Sequence, residues 1–250
     1  MKQSNTAARG QQGFAIDSSQ VLSQANDVDL VKRRRKQIVD AAVELFAREG
    51  FYRTTVQQIA KRANISAGLI YHYARTKEDV LLLALLHVLE TYQAEMPSVL
   101  EGVVDPLARL RAVFASFCRI VDNNLDATTL VYRSTKSLPP QQRELVKQGE
   151  IDANEIIAEQ IRNCIKAKLF REVNVDFVTY QLVMNVHMWA LKHWHFKPRL
   201  SIERFIDESF DFFVHALATP RGLKYYHKRK ASLRQKPSLP TRRAPFTRSR

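Results

Sequence analysis

Residues 54–77 read TTVQQIAKRANISAGLIYHYARTK, and this stretch contains the local signals that decide the fold. Thr54 can act as the N-cap of a first helix, and Gln57 three residues later completes a T-x-x-Q capping box. Apolar residues recur at helical spacing between positions 56 and 63, which is typical of a short amphipathic helix. The pattern therefore predicts a capped helix at the start of this stretch.

The second half of the same stretch predicts another helix after a tight turn. Asn64 tolerates the left-handed backbone conformation that ends a helix abruptly. Ser66 can cap a second helix over residues 67–73. Two short helices joined by so tight a turn are typical of a helix-turn-helix, although an ordinary helical hairpin inside an all-α domain has the same outline.

The second helix has a composition that suits the major groove of DNA. The small residues at its start, Ala67 and Gly68, let the backbone approach base edges. Tyr71, Tyr73 and Lys77 offer hydroxyl and ammonium groups for phosphates. The predicted DNA-contacting residues are Thr54, Thr55, Ser66, Ala67, Gly68, Leu69, Tyr71, His72, Tyr73 and Lys77.

Several short motifs occur here in a fixed order, namely Thr54–Thr55–Val56, Ile59–Ala60, Ala63–Asn64–Ile65–Ser66, Gly68, Ile70–Tyr71 and Lys77–Glu78. Their combined spacing resembles the DNA-binding domain of the TetR family of bacterial repressors, and the resemblance covers about residues 32–89. Tyr73 stands where a histidine is usual, and its hydroxyl should keep a phosphate contact. Ala74 stands where a packed phenylalanine is usual, so another side chain must fill the core there. The resemblance implies a ligand-responsive repressor that binds a double-stranded DNA operator.

A basic cluster opens the helix that precedes this stretch. Residues 32–36 read KRRRK, and the apolar positions from Ile38 to Phe46 then form a single stripe before Gly50. Cations at a helix N-terminus oppose the helix dipole, and a nearby phosphate backbone would offset that cost. We therefore expect the cluster to face DNA, although a solvated helix start would have the same sequence.

The positive charge of the chain is concentrated at its C-terminal end. The 250 residues carry a formal net charge of +14, but residues 221–250 contain eleven Lys or Arg and no Asp or Glu, which leaves +3 for residues 1–220. We expect residues 221–250 to form a disordered basic tail, because this mixture of Lys, Arg, Pro and Ser cannot build a core. Such a tail either adds non-specific phosphate affinity or is solvated with no role. A sequence-independent nucleic-acid-binding protein driven by this tail is therefore the alternative to a specific regulator.

The remaining pattern predicts an all-α protein with two folded parts. Residues 1–30 are rich in Gln, Ser, Asn and Ala and are expected to form a disordered arm. Residues 31–77 are expected to form the three-helix helix-turn-helix domain. A fourth helix from residue 77 links it to a helical ligand-binding and dimerisation domain at residues 78–220. No segment shows the period-two alternation of a strand.

The sequence lacks the motifs of the common enzyme classes. It contains no P-loop, no G-x-G-x-x-G, no G-x-S-x-G and no H-E-x-x-H, so we expect neither a catalytic site nor a cofactor. Cys118 and Cys164 show no metal or redox spacing. The spacing of His187, His193 and His195 does not put two ligands on one helix face, so we expect no metal site.

Two further absences bear on the location of the protein. The first 30 residues lack the apolar segment of a signal peptide, and the longest apolar run, residues 80–89, is too short to cross a bilayer. We therefore expect a cytoplasmic protein without a membrane partner.

The last two long helices are expected at residues 174–196 and 202–218, with Pro220 ending the second, and both are rich in apolar residues. A helix with two apolar faces packs against its own domain with one and against a partner with the other. In the TetR resemblance these helices form the four-helix bundle of a homodimer, although a helix buried inside its own domain would have the same composition. A dimer can place two recognition helices about 34–36 Å apart, the spacing of a palindromic operator.

The central helices, at residues 97–196, are expected to enclose a small hydrophobic effector. The segments YRSTKSLPP (residues 132–140) and MWALKHWHF (residues 188–196) are similar to a branch of the family that responds to acyl-CoA thioesters. A CoA thioester of a hydrophobic acid is therefore the leading effector candidate, and Arg133 and Lys136 would meet its phosphates. The candidate ligand contacts are Phe117, Tyr132, Arg133, Lys136, Asn185 and Trp189.

Overall fold

The computed structural model describes residues 28–234, and every named element in this range is a helix, which confirms the all-α prediction. One isolated β-bridge pairs Phe170 with Ala218. None of the helices in the described range is long and apolar enough to cross a membrane. The helices are α1 (Val28–Glu49), α2 (Val56–Arg62), α3 (Ala67–Tyr71), α4 (Lys77–Ser98), α5 (Pro106–Asn123), α6 (Leu125–Ser134), a 3₁₀ turn (Thr135–Ser137), α7 (Pro140–Lys166), α8 (Val175–Leu191), α9 (His193–Phe196), α10 (Ile202–Leu217) and α11 (Pro220–Arg234).

The N-cap of α2 lies one residue later than the sequence predicted. Thr55 caps the helix, and its hydroxyl accepts a hydrogen bond from the N–H of Gln58 at 3.2 Å. The side-chain oxygen of Gln58 accepts the N–H of Thr55 at 2.7 Å, so Gln58 rather than Gln57 completes the capping box. Thr54 is 1% exposed, and its hydroxyl donates to the carbonyl oxygen of Gly50 at 2.9 Å. Consecutive Thr and Gln pairs offer two registers for the same box, and the buried Thr54 hydroxyl favours the second.

The turn after α2 has the predicted geometry, but α3 is shorter than predicted. Asn64 has a φ of 55°, and Ser66 caps the first turn of α3. The helix ends at Tyr71 rather than at residue 73. The N–H of Tyr73 bonds to the carbonyl of Ile70, three residues back, at 2.8 Å, so the chain tightens into a turn after one and a half helical turns.

α4 lies at the centre of the molecule and connects its two parts. Thr76 caps the helix, and Asp79 completes a capping box. Eleven side chains from Val80 to Met96 are buried. They pack against α1, α5, α6 and α7. Because the helix is apolar nearly all round, it is shared by the core of the helix-turn-helix and the core of the larger domain.

α7 runs the full length of the larger domain. Its 27 residues span about 40 Å at 1.5 Å per residue. At its N-terminal end, Nε2 of Gln142 donates to Asp79 of α4 at 2.7 Å. Beyond its C-terminal end the chain turns at Lys168, which has a φ of 59°, and the carbonyl of Leu169 accepts the N–H of Thr219 at 2.9 Å. The two ends of α7 therefore contact opposite ends of the fold.

α1 begins before the basic cluster. It starts at Val28, so residues 28–30 of the predicted disordered arm are helical, and residues 1–27 lie outside the described range. Residues 32–36 consequently start one turn inside the helix instead of opening it. Asp29 occupies the first turn, where a negative charge suits the helix dipole. The dipole argument for the cluster is therefore wrong, and any role of the cluster at DNA depends on its charge alone.

The two helices expected near the C-terminus differ from the prediction. The chain breaks at Lys192, with φ −121° and ψ 27°, so α8 and α9 replace a single helix. α10 has one apolar face instead of two. Phe212 is a large apolar exception on its outer side, which is otherwise mainly polar or charged. The exposed charged residues of this helix are Glu203, Arg204, Asp207 and Glu208.

The C-terminal segment that was expected to be disordered begins as a helix. Pro220 starts α11 instead of ending the fold, and residues 221–234 are helical. The rest of the predicted tail, residues 235–250, lies outside the described range. Proline is favourable at the first helical position, because its missing N–H would have no partner there. Gly222 lies so close to the carbonyl oxygen of Leu169 that a Cβ would be only 1.9 Å away, so the start of α11 packs tightly on the end of α7.

Candidate DNA-reading surface and effector cavity

The outer side of α3 is small, polar and open. Gly68, Tyr71 and His72 are exposed, whereas Ile70 is fully buried and holds the other side of the helix in the core. A Cβ at Gly68 would meet no atom nearer than the hydroxyl oxygen of Ser66, at 3.9 Å. A DNA groove can therefore approach the backbone closely at this point. The predicted contacts that remain exposed or half-buried are Thr55, Ser66, Ala67, Gly68, Leu69, Tyr71 and His72.

Lys77, which was predicted to contact a phosphate, binds the protein instead. Its Nζ donates to the carbonyl oxygens of Phe51 at 2.9 Å, Thr54 at 3.1 Å and Tyr52 at 3.4 Å. It also lies 4.4 Å from the centre of the Phe51 ring. An ammonium group has three N–H donors, and all three are used here. The structure therefore gives Lys77 a role in holding the loop between α1 and α2.

Thr54 and Tyr73 were also predicted to contact DNA, but both are core residues. Their exposures are 1% and 3%. Tyr73 lies next to Ala74, which is 2% exposed and replaces the larger residue that the resemblance led us to expect. The expected phosphate contact of Tyr73 is therefore wrong, and both departures from the family pattern are changes within the core.

Sequence reasoning missed two exposed arginines beside the reading surface. Arg53 lies two residues before the N-cap of α2, and Arg75 directly precedes the N-cap of α4. Guanidinium groups are frequent phosphate ligands, and helix N-termini also attract anions. A cation within two residues of a helix N-cap was therefore the signal that could have identified these arginines. They are candidates for the phosphate contact that was predicted for Lys77.

A cavity of about 370 Å³ lies in the larger domain, between α4, α5, α6, α7 and α8. Three predicted ligand contacts, Phe117, Tyr132 and Lys136, line it. α4 contributes Leu89, Tyr92 and Met96, so the helix that starts at the DNA reader also forms one wall. The surface of the cavity as a whole is mostly apolar, as expected for a small-molecule site.

Tyr132 and His187 form a polar pair in this wall. The Tyr132 hydroxyl lies 2.6 Å from Nδ1 of His187 and 3.3 Å from the sulfur of Met184, and its single proton can bond to only one of them. Burial lowers the pKa of His187 to about 4 and raises the pKa of Tyr132 to about 12. Both groups are therefore neutral at pH 7.

Two groups of the cavity have hydrogen-bonding capacity to spare. Nε2 of His187 is buried and has no hydrogen-bond partner within the described part of the chain. In the neutral ring this nitrogen donates or accepts according to the tautomer. Glu150 also lines the cavity, and burial raises the pKa of its carboxyl group. A ligand with a polar group could satisfy either site, and leaving such atoms unpaired is costly.

The other three predicted ligand contacts lie outside the cavity wall. Trp189 is fully buried, and its Nε1 donates to Asp122 at 2.8 Å, while its ring centre lies 5.0 Å from that of Phe205. Arg133 is exposed, about 100° around α6 from its neighbour Tyr132. Asn185 is half-buried on α8 and does not line the cavity.

The three histidines near the end of α8 lie in different surroundings. His187 faces the cavity, whereas the ring of His193 packs 5.4 Å from that of Trp189. His195 lies 5.5 Å from the ring of Trp194. Within residues 28–234, no group of three His, Cys, Asp or Glu side chains could hold a metal ion.

Hydrogen bonds outside α4 also connect the cavity region to the reading unit. The Ser137 hydroxyl donates to the Tyr52 hydroxyl at 3.4 Å, and Ser137 directly follows Lys136 of the cavity wall. Gln142 of α7 bonds to Asp79 at the start of α4. Besides the packing of α4, two hydrogen bonds therefore join the larger domain to the loop before α2 and to the base of α4.

Comparison with known proteins gives a consistent result for both parts of the chain. The family model described as bacterial regulatory proteins, tetR family, matches residues 38–84. The model described as tetracyclin repressor-like, C-terminal domain, matches residues 103–217. The HTH-type transcriptional regulator HbdR of Aromatoleum sp. (strain CIB) is 43% identical over 202 residues, which are 81% of this chain and 88% of HbdR.

Solved structures share the fold at lower sequence identity. The TetR family transcriptional regulator PfmR from Thermus thermophilus has a TM-score of 0.63 and 24% identity, and the match covers 71% of this chain and 97% of PfmR. The structure of AibR in complex with isovaleryl coenzyme A and operator DNA has a TM-score of 0.62 and 19% identity, over 72% of this chain and 97% of AibR. These likenesses concern the fold alone.

Substitution of two nearby tyrosines should separate DNA contact from folding. Tyr71 is 50% exposed and Tyr73 is 3% exposed. Tyr71→Ala should weaken binding to all DNA sequences equally and leave the melting temperature unchanged, because a phosphate contact reads no base. Tyr73→Ala should lower the free energy of unfolding by about 3–5 kcal/mol, as other large-to-small core substitutions do. Thermal unfolding and band-shift titration check both, and an equal loss of stability in the two variants would contradict these placements.

The pH dependence of stability should report the burial of His187. Its folded-state pKa of about 4 lies below the ordinary value of 6.5, so the unfolded state binds the proton first and stability falls as the pH drops through this window. The shift corresponds to a loss of about 3 kcal/mol by pH 4. His187→Phe should therefore flatten the melting temperature against pH between 6.5 and 4. His195→Phe, at an exposed histidine, provides the reference slope. Equal slopes in the two variants would argue against a buried neutral His187.

Proposed function

The chain belongs to the TetR family of bacterial regulatory proteins, and from that premise we propose that it is a transcriptional repressor that binds a palindromic operator as a homodimer and is released by a small hydrophobic effector. The observation that carries this proposal is the double use of α4. The helix is capped at Thr76 beside the DNA reader, and Leu89, Tyr92 and Met96 on the same helix line the cavity.

α4 offers a simple way to couple the two sites. The distance along the helix from Lys77 to Leu89 is about 18 Å, and most of the intervening residues are buried among α1, α5, α6 and α7. A packed helix moves as a rigid body rather than bending continuously. An effector that favours one tilt of α4 would therefore change the positions of the two reading helices in a dimer. It can do so only to the extent that it binds the DNA-incompetent arrangement more tightly.

The exposed apolar side chains of α8 support the homodimer. Phe177 is 61% exposed and Met184 is 46% exposed, and with Gln181 and Met188 they recur along one face of the helix. On α10, Phe212 is 68% exposed. Soluble monomers rarely leave large apolar groups aligned in this way. A dimer through this face would also supply the two recognition helices that a palindrome requires.

The cavity supports an acyl-CoA thioester as the effector. Its volume of about 370 Å³ and its mostly apolar wall suit a compact acyl group. Lys136 is the cation in this wall, and Arg133 is exposed three residues before it, so both are available to phosphates outside the cavity. AibR, which shares the fold, has been solved with isovaleryl coenzyme A and operator DNA. The phosphates of such a ligand would remain near the surface, because Glu150 faces the interior.

Operator binding can be tested with a charge placed on the reading helix. Gly68→Glu should abolish binding to a palindromic operator selected from random duplexes, because the carboxylate would face the DNA backbone and block close approach. Gly68→Ala is the matched control for backbone freedom, since a methyl group meets nothing nearer than 3.9 Å. An isolated half-site should bind far more weakly than the palindrome. Unchanged operator binding by Gly68→Glu, or a wild-type monomer at micromolar concentration in light scattering, would contradict the proposal.

Effector release can be tested by titrating the protein–operator complex with free acids and their CoA esters, alongside calorimetry without DNA. A subset of the esters should bind and dissociate the complex. Ala153→Leu, which fills part of the cavity, should raise the concentration needed for release by roughly tenfold, since overpacking of about this size costs at least 1 kcal/mol. Ala112→Leu, in a separate groove between α5, α10 and α11, should behave as wild type. If no ester binds or releases the complex, or if Ala153→Leu responds normally, the assignment of this effector to this cavity fails.

A further inference from the structure

α11 lies at the end of the molecule that is remote from the DNA reader. α7 separates the two regions by about 40 Å, since Gln142 near its start bonds to Asp79 of α4, and Leu169 just beyond its end contacts Gly222 of α11. The length of α4 gives a second estimate of the distance between α11 and the DNA reader. Its 22 residues span about 33 Å, and α11 contacts Asp105 in the loop beyond its C-terminal end.

One side of α11 is occupied by contacts with the body of the protein. The Tyr226 hydroxyl donates to Asp211 at 2.9 Å, and Nζ of Lys230 donates to the same carboxylate at 2.6 Å. Arg229 forms an ion pair with Asp105 at 3.0 Å, and the hydroxyl of Tyr225 bonds to the same residue. Two aspartates thus hold the inner side of the helix and neutralise its inner cations.

The outer side of α11 keeps its positive charge. Arg221, Lys224 and Lys228 are exposed, and no carboxylate pairs with them in the described part of the chain. They lie at i, i+3 and i+7, within one third of the helix circumference and over about 10 Å of its length. The helix contains no Asp or Glu. This side is therefore a short row of unpaired cations.

We propose that the outer side of α11 is a second, sequence-independent DNA-binding surface that holds a different DNA segment from the operator bound by α3. The proposal goes beyond the repressor function and rests on it only for the presence of DNA. Charges separated by 33–40 Å lie several Debye lengths apart, since that length is about 8 Å at physiological salt. The α11 cations therefore contribute nothing direct to the operator contact, and a duplex that meets them must be a second segment or a distant part of the same molecule.

The chemistry of this surface favours a phosphate backbone over the other anionic partners. A membrane-surface helix needs a large apolar face beside its cations, and the row of Arg221, Lys224 and Lys228 has none. A protein interface usually has an aromatic or aliphatic anchor at its centre, and Tyr225, at the edge of the row, is bonded to Asp105 instead. Three cations over about 10 Å suit an extended row of phosphates, because one DNA strand carries a phosphate about every 3.4 Å along its axis.

A bridging assay with the full-length protein tests the proposal. A short operator duplex is immobilised and saturated with protein, unbound protein is washed away, and a labelled duplex without an operator is added at increasing salt. Wild type should capture the second duplex. The variant Arg221→Gln/Lys224→Gln/Lys228→Gln should capture it roughly tenfold more weakly, and the slope of log affinity against log salt should decrease by about 2.7, or about 0.9 for each lost phosphate contact. The matched control is Lys192→Gln/Lys197→Gln/Arg199→Gln, which removes the same charge, also from two lysines and one arginine, at other exposed positions and should behave as wild type.

The outcomes separate this proposal from the repressor function. The α11 variant should bind a single operator duplex with wild-type affinity. The Gly68→Glu protein should lose the operator but keep salt-dependent binding of the second duplex. Capture that is absent in wild type, or equal in the α11 variant and wild type, would overturn the second surface and leave the operator assignment intact. A parallel loss of operator affinity in the α11 variant would also overturn it, because the cations would then act on the same DNA.

Discussion

The ammonium group of Lys77 fixes the start of α4 to the loop between α1 and α2. It stands in the first turn of α4 and donates to three carbonyl groups of the loop between α1 and α2. That loop ends at the N-cap of α2. The position of α2 and α3 therefore depends on the direction in which α4 runs away from the loop. On the neighbouring Asp79, one carboxylate oxygen accepts the N–H groups that begin α4, while the other accepts Gln142 from α7. Both domains therefore share a base made of backbone carbonyls, one ammonium and one carboxylate. A phosphate contact by Lys77, as the sequence predicted, would have to compete with these internal hydrogen bonds.

The sequence was sufficient for the helical class, the helix-turn-helix and the turn at Asn64, because these depend on local caps and periodicity. It was insufficient where two neighbouring residues of the same type compete for one role. Thr54 and Thr55 both suit an N-cap, and Tyr71 and Tyr73 both carry a phenolic hydroxyl, but burial in the core decides which one faces solvent. Burial depends on contacts between helices that are distant in the sequence, and the local sequence pattern does not contain that information.

The same limit applies to the cavity of the larger domain. Phe117, Tyr132 and Lys136 line it because the elements that carry them meet there, whereas Trp189 is a core residue bonded to Asp122. The spacing of His187 from the other histidines predicted no metal site, and it gave no sign of the surroundings of the ring. In the described part of the chain, the neutral His187 ring has a buried nitrogen without a hydrogen-bond partner, which is a polar site inside a mostly apolar wall. α11 was missed for a related reason. Its composition cannot form a core of its own. The folded body nevertheless docks it through two aspartates and through the close contact of Gly222 with Leu169.

The continuous α7 helix restricts how the length of this protein can change during evolution. Contacts at both of its ends depend on the same rigid segment, Gln142 at the first and Leu169 just past the last. Deletion of one residue between them would rotate one end by about 100° relative to the other and shorten the helix by about 1.5 Å. The Gln142 side chain could then meet Asp79 only if the contacts around Leu169, Thr219 and Gly222 were lost. Substitutions along the exposed side of α7 leave this geometry unchanged. Homologues that keep both contacts should therefore differ freely in the composition of this helix, while their insertions and deletions fall in the loops.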